Sequence, residues 1–121
     1  MQQIKKQQHT LTDADSVQVF IPKNIYLYAR QLKDNDDRPP RQKPTLPDVY
    51  VHLATEGLRV VKKLKLKPEF KEIGRQPGSV SAQIKYPPEL HAKLKALKAK
   101  HNVSVMSIFV TFIKVAIAGA E

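Results

Sequence analysis

The chain contains no cysteine. That excludes disulfides and thiol chemistry, and it fits a reducing compartment. Glycine is scarce, with four in 121 residues, and none belongs to a Gly-rich loop that could cradle a phosphate. Aromatic residues are few, four Tyr and four Phe, with no interleaved set of the kind that stacks RNA bases. The four histidines, His9, His52, His91 and His101, do not pair at metal-ligand spacing. The acidic group Asp34, Asp36 and Asp37 lacks the central glycine and distal glutamate of a calcium loop. No nucleophile is paired with a base. The chain reads as non-enzymatic, with no metal and no cofactor.

Long apolar runs are also rare. Met1 to Gln8 is polar and lacks the apolar core of a signal peptide, so the expected location is the cytoplasm. The stretch from Val103 to Ala120 approaches the lower limit for a membrane span. It carries Ser104, Ser107, Thr111 and Lys114, and Gly119 ends it. It reads as a buried helix shared by two halves, without membrane insertion.

What the chain has in abundance is positive charge. Lys and Arg number 21 against 11 Asp and Glu, a formal net charge of +10. Such an excess on a small domain points to an anionic partner, nucleic acid first among them.

It also has a repeated pattern. Ser16-Val17-Gln18-Val19-Phe20-Ile21-Pro22 and Ser81-Ala82-Gln83-Ile84-Lys85-Tyr86-Pro87 are each a short alternating stretch closed by proline. An amphipathic segment follows each, then a polar break, a Thr or Ser cap, and a second apolar helix. One strand–helix–helix unit of this size cannot bury its own apolar faces. Two copies can, by pairing their strands and interlocking their helices.

The pattern predicts a polar, flexible arm over residues 1–15 and one domain over 16–121. Within it, unit one covers 16–64, a basic linker 62–79 and unit two 80–121. In unit one a short helix is expected from Ile25 to Leu32, capped by Asn24, with Ile25, Tyr28, Ala29 and Leu32 on one face. A loop with three prolines follows. Thr45 then caps a second helix that has Pro47 and Asp48 in its first turn and runs to about Leu64. Gly57 inside that helix costs up to about 1 kcal/mol relative to Ala; it either permits close helix approach or is neutral. In unit two the strand is expected over Val80 to Tyr86 and a helix from about Glu89 to His101, lysines outward. A last helix is capped by Ser104 and runs from Val105 to about Ala118. Unit one is six residues longer: Pro22 to Thr45 spans 23 positions and Pro87 to Ser104 spans 17.

Gln83-Ile84-Lys85-Tyr86-Pro87-Pro88-Glu89-Leu90, followed by Asn102-Val103-Ser104-Val105-Met106-Ser107, resembles the ribbon–helix–helix family of bacterial DNA-binding proteins. The two units in one chain resemble its tandem members, which serve in conjugative relaxosomes. The resemblance implies an α+β, mostly helical fold, a tandem ribbon–helix–helix domain. A two-stranded antiparallel ribbon and about four main helices would form a single-chain pseudo-dimer, monomeric and bacterial. It implies sequence-preferring binding of double-stranded DNA as an accessory to T-DNA or conjugative-type DNA transfer, with relaxosome or other transfer proteins as further partners. Plasmid transcriptional repressors and antitoxins use the same fold, and a basic protein–protein adaptor is an alternative of another class.

By that resemblance the ribbon enters the major groove, where base edges distinguish all four base pairs. Alternation directs Ala82, Ile84 and Tyr86 to the core and Ser81, Gln83 and Lys85 to DNA. Gln83 suits adenine, and Lys85 suits guanine O6 and N7. On the first strand the outward set is Ser16, Gln18 and Phe20. Phe20 either packs on a thymine methyl or folds against a neighbouring loop. The start of each final helix is a phosphate clamp: Ser104, Val105 and Met106 in unit two, Thr45 in unit one. The unit-one clamp is weakened, because Pro47 has no N–H and Asp48 repels phosphate. Arg38, Arg41 and Lys43 either compensate or merely solvate their loop. Lys62, Lys63, Lys65, Lys67, Lys71 and Arg75 of the linker would add diffuse attraction.

Overall fold

The computed structural model describes residues 17–120; the arm expected over 1–15, and Ser16, lie outside them. The element order is β1 (Val17–Ile21), α1 (Lys23–Asp34), α2 (Leu46–Leu64), β2 (Val80–Ile84), α3 (Pro88–His101) and α4 (Val105–Ala120). The fold is α+β and mostly helical. Strand–helix–helix occurs twice, in the order expected.

β1 and β2 pair antiparallel and form a two-stranded sheet, with Gln18 opposite Gln83 and Phe20 opposite Ser81. Side chains alternate across the ribbon. Val19, Ile21 and Ile84 are fully buried, whereas Gln18, Ser81 and Gln83 are exposed. Each buried aliphatic side chain contributes about 1.5–3 kcal/mol. β2 ends at Ile84, two residues short of the expected strand. In this register Lys85 and Tyr86 would face residues 16 and 15, which lie outside the described chain. Tyr86 is nonetheless buried as expected, its ring against Phe109.

Pro22 directly follows β1 and Pro87 lies three residues beyond β2; each is the N-cap of the helix that follows, α1 and α3. Their backbone angles are nearly identical, φ −54° and ψ 144° against φ −55° and ψ 146°. α1 is longer than expected and is not capped by Asn24. Its N-cap is Pro22, whose carbonyl accepts from the N–H groups of Ile25 and Tyr26. Two helical bonds on that carbonyl start the helix at Lys23, ahead of any Asn24 cap. Ile25 and Ala29 are buried and Tyr28 and Leu32 half-buried, so the predicted face is the packed one. α3 ends at Asn102, which adopts a left-handed φ of 56°; Asn tolerates that conformation better than most residues.

α2 and α4 form the centre. α2 buries Val49, Tyr50, Val51, Leu53, Ala54 and Gly57. α4 buries Ile108, Phe109, Val110, Phe112 and Ile113, because it packs against α2, α3 and β1 together. Burial on so many sides explains its near-continuous apolar run. Among the described residues, no single helix is long and apolar enough to cross a membrane.

Gly57 is where the two central helices touch. A Cβ built there would lie 1.9 Å from the carbonyl oxygen of Phe112. Of the two sequence readings, close helix approach is therefore the correct one. The obstacle is backbone, which cannot rotate away as a side chain would. Gly57→Ala, a gain in helix propensity, is expected to destabilise the protein by about 1–3 kcal/mol or more through overpacking. Urea denaturation reads this directly, and a wild-type midpoint would contradict the contact.

Candidate nucleic-acid interface

The outer face of the ribbon presents Gln18, Phe20, Ser81 and Gln83 together. The Gln18 side-chain amide donates to Ser81 Oγ at 2.8 Å, a diagonal bond across the two strands. Lys85 lies one residue beyond the end of β2 and is half-buried. Phe20 is half-buried too. The Arg75 guanidinium lies over its ring, 4.6 Å from the centroid. Of the two fates expected for Phe20, contact with a neighbouring loop is the one observed.

Beside this face stands the start of α4. The Phe20 N–H donates to Met106 Sδ at 3.5 Å, which ties the helix to the edge of β1. Ser104 Oγ accepts from the Ser107 N–H at 3.2 Å and so caps α4, as its position in the sequence implied. Helix geometry leaves the N–H groups of Val105 and Met106 without an i−4 carbonyl inside the helix. The Ser104 N–H is already engaged, donating to the Glu72 carboxylate at 2.8 Å. That bond and the nearby Ser104 and Ser107 hydroxyls hold Glu72 below the usual carboxylate range. One acid from the linker therefore sits at the start of α4.

The start of α2 is closed more tightly. Thr45 and Asp48 form a reciprocal capping box: the Thr45 N–H donates to Asp48 Oδ2 at 2.8 Å, and the Asp48 N–H donates to Thr45 Oγ1 at 3.4 Å. Asp48 is buried, so its negative charge is built into the helix end. In the inserted loop the Arg38 guanidinium grips Asp36 through Nε–Oδ1 at 2.9 Å and Nη2–Oδ2 at 2.6 Å. Arg38 is thereby partnered within its own loop. Arg41 is exposed and Lys43 half-buried.

Lys62, Lys63 and Leu64 belong to α2, which ends where expected. Lys65 closes that helix with a left-handed φ of 53°. The remainder is an irregular strap pinned to α4. Phe70 stacks edge-on against Phe112, with ring centroids 5.6 Å apart, and tilts against His101 at 4.9 Å. The Ile73 N–H donates to Ser107 Oγ at 2.7 Å. Sequence reasoning missed this docking. The available signal was the pair Phe70 and Ile73, apolar residues in an otherwise charged stretch. Lys62, Lys63, Lys65, Lys67, Lys71 and Arg75 are all exposed, and Lys71 lies 3.5 Å from Glu69.

Of the four histidines, His9 lies outside the described residues. His52 is half-buried on α2, and desolvation lowers its pKa. His91 packs on Tyr86 and His101 on Phe70. Among the described residues, no three potential ligands gather to hold a metal ion.

The Arg38–Asp36 grip has a pH signature. The Arg38 side chain, then its backbone N–H, hold the Asp36 carboxyl at about 2, below its ordinary 3.8. A depressed carboxylate stabilises the loop above its unfolded value, and the effect is lost as pH falls through about 2. Carboxyl NMR titration should show that low midpoint, rising towards the ordinary value in Arg38→Gln. An ordinary midpoint in the wild type would contradict the bidentate pair.

The chain matches no protein-family model, no curated protein and no solved structure.

Proposed function

We propose that the chain is a tandem, single-chain ribbon–helix–helix domain that binds double-stranded DNA with sequence preference. Its ribbon enters the major groove and the α4 start anchors on phosphate. The observation that carries this reading is the strand register. Gln18 and Gln83 each stand four positions before the proline of their repeat, Pro22 or Pro87, so they are counterparts in the repeat, and they are paired with each other. Pairing of counterparts is what a two-fold axis through an antiparallel ribbon produces. The exposed polar face about that axis has the width and chemistry that a major groove admits. The net charge of +10 supplies the sequence-independent attraction.

In this reading Gln18 and Gln83 address adenine, Lys85 addresses guanine, and Ser81 positions Gln18. The α4 clamp is the stronger of the two, since the α2 start carries Pro47 and the buried Asp48. The two ends of the ribbon differ, so a single chain suits a non-palindromic site. The role is recognition and recruitment. By its resemblance to relaxosome proteins, the chain serves as an accessory to T-DNA or conjugative-type DNA transfer and recruits transfer proteins there.

Fluorescence anisotropy over a salt series tests this, with a duplex carrying a T-DNA enhancer and a scrambled duplex. Steep salt dependence with tighter binding to the first is expected. Equal binding to both would remove the sequence preference, and binding to neither would favour a protein adaptor. Lys85→Ala should cost about 1–3 kcal/mol on the preferred duplex; unchanged affinity and preference would exclude Lys85 from readout.

Glu72→Gln tests the α4 clamp. Removing a carboxylate from the helix start should raise DNA affinity about two- to five-fold, the magnitude of one charge at a helix end. Weaker or unchanged binding would place the phosphate elsewhere.

A further inference from the structure

Among the residues of the outward sets, Ser16, Gln18 and Phe20 against Ser81, Gln83 and Lys85, the two repeats differ at one position. Phe20 and Lys85 are counterparts, each two residues before its closing proline, Pro22 or Pro87. The second repeat carries a cation there, one residue beyond β2, and the first carries a ring. The ring, however, has a cation upon it: the guanidinium of Arg75, 4.6 Å from its centroid. Arg75 comes from the strap and is exposed.

We infer that Arg75, held over the ribbon by Phe20, reads a guanine base edge and replaces the cation that strand one lacks. The inference rests on the DNA-binding reading above. Stacking uses the flat face of the guanidinium and leaves its N–H donors pointing outward in the plane. Two of them match guanine O6 and N7, the commonest specific contact in the major groove. The backbone around Arg75 is anchored on both sides. The Ile73 N–H is held by Ser107 Oγ at 2.7 Å, and the Gln76 N–H by Ser79 Oγ at 3.2 Å. An anchored backbone and a stacked head group limit the freedom that a long side chain would otherwise lose on binding. Phe20 is a positioning residue here, acting through Arg75.

The test is selection from a randomised duplex pool with the wild type, Arg75→Gln, Arg75→Lys, Phe20→Leu and Lys85→Ala. The wild type should enrich guanine at two separate positions. Arg75→Gln should lose one of them, with discrimination there falling at least about five-fold, and Lys85→Ala should lose the other. Phe20→Leu should lose the Arg75 position, and Arg75→Lys should weaken it while keeping the salt dependence. Thermal melts confirm that each variant is folded. Unchanged preferences in Arg75→Gln, with Lys85→Ala still effective, would overturn the role of Arg75 and leave the DNA-binding reading standing. An even loss across sequences with a shallower salt slope would make Arg75 a phosphate contact and overturn base reading. A wild type that enriches nothing would overturn both.

Discussion

The backbone of Phe112 lies so near Gly57 that no side chain fits between them. That contact sets how closely α2 and α4 cross, and the rest of the molecule is arranged around the crossing. Each central helix belongs to a different strand–helix–helix unit. Their approach brings the units together, and the apolar sides of β1 and β2 then close over the same core. A five-residue strand is not stable alone, nor is a two-stranded ribbon without a packed face. Here Val19, Ile21 and Ile84 supply that face.

The two halves share an order of elements but differ at the starts of their second helices. The inserted loop of the first half folds on itself through Arg38 and Asp36, and Asp48 closes α2 from within. The second half has a short turn before α4, and its helix end is met by Glu72 from the strap. An acid inside a helix is a permanent feature of it, whereas one on an exposed strap can be displaced. The electrostatic difference between the two ends follows from where each carboxylate is attached.

The strap gives the linker a structural role. Phe70 and Ile73 dock on α4, Glu72 meets its first turn, and Arg75 reaches the ribbon. A segment rich in lysine is thus held in place by its few apolar members and one acid.

Local pattern was enough for the elements. Alternation in Val17–Ile21, the paired prolines, Thr45 with Asp48, and Ser104 act within a few residues, so their consequences are readable along the chain. The repeat also implied that the strands pair, since neither unit can bury its faces alone. Other features depended on residues far apart in sequence. Whether Gly57 was needed depended on Phe112, the surroundings of Phe20 on Arg75, and the state of the α4 start on Glu72. Periodicity carries no information about such pairs, because it records which way a side chain faces and not what it meets there. The sequence by itself determined the elements, most of their caps and the outward direction of Gln18, Ser81 and Gln83. Only the tertiary structure decided which charges and rings lie beside them, since those contacts form when distant segments pack.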